Sequence, residues 1–381
     1  MSGRLALRTV VPCLLLVGCM TPGQSGAPGA STPASEGITT SPSQGVASAS
    51  PASPALREPD GLAIDASGAV YVSDHGGYVY RIAAGGALEV VAGNGSRGFA
   101  GDGGAATRAA FSTPAGIAFD SEGRLLVVDH ENHRIRRVDA TGVISTIVGS
   151  GSTGQTAGGF AGDGGPALEA QLHEPIAVAR AGAALYISDS RNARIRAVDA
   201  SGVISTIAGD GGVTGLKPLA LDGPATEATL AAPVFLVFNS VGDLVFTDRG
   251  LNRVLSIHPD GTLTLLAGSG ARGFAGDGGP AGSAQLTEPA GIAIDASDNL
   301  YIGDAGNHRI RRVAPDGVIT TVAGTGTAGL SGDGGPAIDA EIDTPFGLAV
   351  DSAGNLYFAD FANGHVRRID TAGVITTVAG G

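Results

Sequence analysis

The chain has 381 residues, among them 63 glycines and 20 prolines but only two cysteines, two methionines, one lysine and no tryptophan. Hydrophobic residues make up 43% and charged residues 15%, enough apolar side chain for a large core, which excludes a mostly disordered polar chain. A net charge of −13 opposes binding to nucleic-acid phosphates, so no nucleic-acid partner is expected.

The first element is a leader. Arg4 and Arg8 flank an apolar stretch that ends in Leu14-Leu15-Leu16-Val17-Gly18-Cys19, too short to span a bilayer and shaped like a secretory signal. Leu16-Val17-Gly18-Cys19 resembles the bacterial lipobox. The resemblance implies that residues 1–18 are removed as a signal peptide and that Cys19 is acylated. Cys13 leaves with the signal, so no disulfide, cysteine nucleophile or cysteine-ligated metal is available downstream. Residues 19–55 continue as the lipidated cysteine and a Ser/Pro/Ala/Gly tether too polar to bury a core. As a flexible coil it would hold the next domain roughly 30–35 Å from the membrane. The expected location is outside the cytoplasm, lipid-anchored, in the periplasm or at the cell surface.

From Leu56 onward the sequence repeats. Prolines 59, 114, 175, 233, 289 and 345 open six units spaced 55 to 61 residues apart, which places the unit boundaries near 56–111, 112–172, 173–230, 231–286, 287–342 and 343–381. Unit five shows the pattern: Pro289-Ala290-Gly291-Ile292-Ala293-Ile294, Asn299-Leu300-Tyr301-Ile302-Gly303-Asp304, Asn307-His308-Arg309-Ile310-Arg311-Arg312-Val313 and Val318-Ile319-Thr320-Thr321-Val322. Runs this short, rich in Ile, Val, Tyr and Thr and punctuated by Gly, Asp, Asn and Pro, predict four strands per unit. A four-stranded sheet cannot hide both faces alone. Six of them packed around an axis can, so the expected fold is all-β, a six-bladed propeller of antiparallel four-stranded blades. No spare strand is left to interlock the ring, and closure is expected from packing between the first and last blades.

The Asn-His-Arg-Ile core at 132–135 and 307–310, weaker at Asn192, Asn252 and Asn363, with Pro-x-Gly-Ile-Ala before it, resembles the NHL repeat. The Gly-Phe-Ala-Gly-Asp-Gly-Gly segments at 98–104, 159–165 and 273–279 resemble NHL propellers of bacterial exported proteins and of teneurins. Unit one departs with Asp74-His75-Gly76-Gly77-Tyr78, and unit three with Leu221-Asp222-Gly223-Pro224 and no Asp turn near Arg180. The resemblance implies a propeller. Among six-bladed relatives are peptidyl-hydroxyglycine lyases and gluconolactonase-like enzymes.

In such a blade the loop after the second strand and the connection to the next blade share one face, where function is sought. The inserted segments, as in Gly334-Gly335-Pro336-Ala337, predict a short helical turn with proline at its first position, pinned by Leu172, Leu230, Leu286 or Ile342. Asp102, Asp163, Asp222, Asp277 and Asp333 either cap these turns or form a cation-attracting ring.

The residue before each opening proline should lie near the channel mouth, and Glu58, Glu174 and Glu288 stand there in alternate blades. Three converging carboxylates would hold a hard cation such as calcium, or would pair with arginines of neighbouring blades such as Arg134 or Arg309. His133 and His308 read as packed histidines. His130, Glu131 and His133, with His75 in the place of His130, lack the fixed geometry of a zinc helix. Each Arg-Arg pair, such as Arg311 and Arg312, is expected to place one arginine on each sheet face, bridging to strand-end aspartates.

No Gly-x-Ser-x-Gly elbow or phosphate loop occurs. The expected function is a lipid-anchored, monomeric recognition scaffold for an envelope protein, peptide or glycan, with its ligand face formed by the inter-blade Gly-Asp-Gly loops. It requires no cofactor, a divalent cation being the possible exception. The alternative is a metal-assisted lyase or lactonase at the channel mouth.

Overall fold

A computed structural model describes residues 55–151, 158–212 and 219–380. Cys19, the signal segment and the tether up to residue 54 lie outside the described residues. Among the described residues no helix is long and apolar enough to cross a membrane.

Six sheets follow one another along the chain, each built from consecutive strands, so the molecule is a six-bladed β-propeller with no strand exchanged between its ends. The innermost strands are Pro59–Ile64, Pro114–Phe119, Pro175–Ala181, Pro233–Phe238, Pro289–Ile294 and Pro345–Val350. Each opens on the expected proline. A strand's first residue can spare its N–H, so proline is tolerated there and sets the entry angle. The second strands end in Asp74, Asp129, Asp189, Asp248, Asp304 and Asp360.

The innermost strands stand close together. A β-carbon at Gly116 would lie 2.6 Å from Ile176 O, and one at Gly347 would lie 2.3 Å from Asp60 O. The second contact joins blade six to blade one and closes the ring. The core is divided among the blade interfaces. Between blades one and two, Val79, Phe111, Val127 and Ile144 pack together; between six and one, Leu62, Val72, Tyr80 and Val366 do so. Closure thus rests on face packing.

The insertions form 3₁₀ turns at Ala106–Arg108, Ala167–Glu169, Ala225–Glu227, Ala281–Ser283 and Ala337–Asp339. Proline 166, 224, 280 or 336 precedes the turn as its cap and does not open it, because its ψ near 130° is extended. Phe111, Leu172, Leu230, Leu286 and Ile342 are fully buried behind these turns.

Each insertion fastens two blades. Ala337 O accepts from Gly324 N at the end of blade five's outermost strand, and Ala337 N donates to Gly373 O in blade six. Ala106, Ala167, Ala225 and Ala281 repeat this geometry. In blade four the insertion adds a fifth short strand, Gly223–Pro224. The insertions therefore leave the loop face and run along the outer edge of the next blade.

Candidate functional site

Strand-end aspartates organise the loop face. Asp129 Oδ1 accepts from Ser112 N and Asn132 Nδ2, both at 2.8 Å, and Asn132 Nδ2 also donates to Gly98 O. Asn192, Asn307 and Asn363 tie Asp189, Asp304 and Asp360 to Gly159, Gly273 and Gly329 in the same way. Burial pushes the carboxyls of Asp129, Asp189 and Asp360 up to about 6, against the pull of these hydrogen bonds. The Asn of the repeat is thus a clamp between strand end and insertion.

The insertion acids are partners of buried arginines. Asp277 Oδ1 lies 2.6 Å from Arg311 Nη2, whose Nη1 is 3.4 Å from Asp304 Oδ2, and Thr321 Oγ1 donates to Asp277 at 2.6 Å. Asp102, Asp163 and Asp333 hold Arg136, Arg196 and Arg367 alike, at 2.7, 2.6 and 2.6 Å. All four arginines have fully buried side chains. Phe99, Phe160 and Phe274 cover three of them on the outside. Blade four has Leu255 in place of the arginine, and Asp222 sits in a left-handed turn, φ 60°, with its N–H on Leu263 O. Of each Arg-Arg pair only the first bridges aspartates; Arg312 stands opposite Tyr301 and Thr320 on the other face.

At the channel mouth the structure keeps the three glutamates in separate ion pairs. Glu58 Oε2 is 3.4 Å from His75 Nδ1, and Glu174 Oε2 is 3.2 Å from Arg191 Nη1. Glu288 takes both Arg249 Nη2 at 2.6 Å and Arg272 Nη2 at 2.7 Å, and the Arg249 hydrogen bond holds its carboxyl below the usual range. The partners are therefore not Arg134 and Arg309, whose guanidiniums bond the carbonyls of residues 132 and 151, and of 307 and 325. Among the described residues no group of three or more His, Cys, Asp or Glu side chains lies close enough to hold a metal ion. His130 Nδ1 is on Pro175 O, and Glu131 pairs with Arg97, so the His130–His133 segment does not converge either.

His133 has a role that the sequence did not disclose. Its Nδ1 accepts the N–H of Glu174 in the next blade at 3.0 Å. Asn252 Oδ1 takes Glu288 N at 2.9 Å and His308 Nδ1 takes Thr344 N at 3.4 Å. Glu174, Glu288 and Thr344 all have left-handed backbones, φ 47°, 51° and 56°, which this cross-blade hydrogen bond helps to hold.

One arc of the mouth breaks the sixfold pattern. Phe235 occupies a position that is glycine at 61, 116, 291 and 347, and its ring centroid lies 6.2 Å from that of Phe346. Phe346 packs on Phe361 at 5.0 Å, and Phe361 meets His75 edge-on at 5.3 Å. His75 Nε2 is also 2.9 Å from Asp60 Oδ2. Burial works against a charge on His75, but hydrogen bonds to Asp60 and Glu58 outweigh it and push the imidazole up to about 10. His75 is therefore an imidazolium at neutral pH. The signal for this arc was present as departures from the repeat, but nothing in their spacing brought residues 60, 75, 235, 346 and 361 together.

Six four-stranded blades around a mouth lined by loops define the class of six-bladed β-propellers. Residues 86–158, 156–273, 270–330 and 326–381 match the family described as the Teneurin NHL domain, and the chain belongs to that family. It is 28% identical to mouse (Mus musculus) Teneurin-4 over 346 residues, which covers 82% of this chain and 12% of the teneurin. The chain thus spans about a tenth of the length of the teneurins it matches. Among solved structures, a protein of unknown function from Bacteroides thetaiotaomicron superposes with a TM-score of 0.60 at 20% identity, covering 83% of this chain and 70% of that one. An auxiliary nutrient binding protein from the same organism gives 0.57 at 15% identity, covering 85% and 70%.

Proposed function

We propose that this protein is a binding scaffold, exported and anchored through lipidated Cys19 at the bacterial cell envelope, that recognises an envelope protein, peptide or glycan on its loop face. The carrying observation is the broken symmetry of the mouth. Repeated positions elsewhere serve packing, clamps and buried ion pairs, whereas Asp60, Phe235, Arg249, Phe346 and Phe361 depart from the repeat and, with His75, meet along one arc of the mouth. Asp102, Asp163, Asp277 and Asp333 are engaged with buried arginines, so the mouth is the better candidate for ligand contact than the acids of the insertions. Binding is also the role in the description of one solved neighbour, a likeness that carries the fold alone at 15% identity. The residues that meet at the mouth add no weight to a metal-assisted lyase or lactonase.

The test is equilibrium binding of the full-length chain to fractionated envelope proteins, peptides and glycans, repeated with Arg249→Glu and with Asp199→Asn on the opposite face. The reading expects a saturable ligand lost with Arg249→Glu and kept with Asp199→Asn. A ligand indifferent to Arg249→Glu but lost with Asp199→Asn would move the site to the other face.

A further inference from the structure

At the residue following each opening proline the blades carry Asp60, Ala115, Ile176, Val234, Ala290 and Phe346, so one carboxylate stands in an otherwise apolar ring. The Asp60 side chain is only 4% exposed. Its Oδ2 accepts from His75, but its Oδ1 is buried with no hydrogen-bonding partner in the protein. A buried carboxylate oxygen without a donor is unfavourable, and such an atom calls for a donor from outside the chain.

The surroundings select the donor. Asp60 and Glu58 share one imidazolium, which leaves a net negative charge on the cluster. Phe361 meets His75, and Phe346 packs behind Phe361. A hydroxyl or amide would satisfy the oxygen but not the charge. Calcium would need about six or more oxygens, whereas Glu58 and Asp60 are already engaged with His75, and among the described residues no group of three or more His, Cys, Asp or Glu side chains is arranged to hold a metal ion. A primary ammonium supplies both charge and N–H donors, and aromatic rings favour a cation beside them.

We infer that the channel mouth binds a primary ammonium group, which donates to Asp60 Oδ1 beside Glu58 and is flanked by Phe361 and Phe346. The inference rests on the scaffold reading and names the chemistry its mouth recognises. The ammonium is that of a small amine or of a lysine side chain in a peptide.

The experiment titrates the full-length chain at low ionic strength and pH 7 with benzylammonium, with Nα-acetyl-lysine amide, and with benzyl alcohol as the neutral counterpart, followed calorimetrically. At least one ammonium probe is expected to bind saturably and benzyl alcohol not to bind. Asp60→Asn should weaken the ammonium probe about tenfold or more. Phe361→Leu, a second variant that leaves both carboxylates in place, should weaken it about two- to fivefold. Asp199→Asn should bind as the parent does. Thermal unfolding of each variant establishes that it is folded. Tighter binding of the lysine amide assigns a peptide ligand, and tighter binding of benzylammonium a small amine. Absence of saturable binding by both ammonium probes, equal binding of benzyl alcohol, or binding unchanged in folded Asp60→Asn would overturn the inference. The scaffold reading would survive that result if an envelope ligand were still lost with Arg249→Glu.

Discussion

His75 ties proton binding to stability. Its ordinary pKa is 6.5 and its folded value about 10, since the hydrogen bonds to Asp60 and Glu58 exceed the opposing effect of burial. A raised folded pKa stabilises fully below 6.5, and the stabilisation fades as pH climbs toward 10. Urea unfolding of the parent and of His75→Gln should differ by about 2 to 4 kcal/mol at pH 6 and converge near pH 10. A difference independent of pH would mean that His75 acts through packing alone. Arg311 poses a different balance. Replacing it with methionine leaves the buried Asp304 without its cation and should destabilise by about 3 to 5 kcal/mol, whereas Asp277→Ala leaves the Arg311–Asp304 pair intact and should lose only about 1 to 2 kcal/mol. Denaturant midpoints of the two variants rank them, and a reversed order would place the main stabilising contact in the insertion.

Among the elements, the turn of each insertion matters most, because its alanine bonds two blades at once. Gly324, which donates to Ala337, has φ 91°, and a β-carbon there would lie 2.3 Å from His308 O. Gly324→Ala should therefore destabilise by at least about 2 kcal/mol, from left-handed strain and displacement of the staple together. Calorimetric unfolding checks this, and a neutral outcome would mean that the blade junction is pliable. The strands themselves were legible. Proline at the start of each innermost strand and aspartate at the end of each second strand act locally, within a few residues, so the sequence displays them. The insertions were legible as turns but not as staples, since Gly324 and Gly373 are both distant in sequence from each other and meet Ala337 only when blades pack.

Over the whole molecule the ring is uneven. Five interfaces carry an insertion staple, while among the described residues none joins blade six to blade one, where the contact is the packing of Leu62, Val72, Tyr80 and Val366. Among the described residues, the outermost strand of blade one, Leu88–Ala92, likewise has no counterpart of the hydrogen bonds that Gly334 and Gly335 make with Ile375 in blade six. Uncovered edges open at lower free energy. Hydrogen exchange should therefore be faster in Leu88–Ala92 than in Ile144–Val148 or Ile319–Ala323, and equal protection would show that ring closure is as firm there as elsewhere.

The sequence by itself determined the number of blades and the strand order within each. Those features arise from short runs rich in Ile, Val, Tyr and Thr and from Gly, Pro, Asp and Asn acting on their own neighbourhoods. Tertiary structure alone decided which charges meet: Glu288 with Arg249 and Arg272, Asp277 with Arg311, and Asp60 with His75 beside Phe361. Residues 60 and 361 lie at opposite ends of the propeller, and only closure of the ring makes them neighbours.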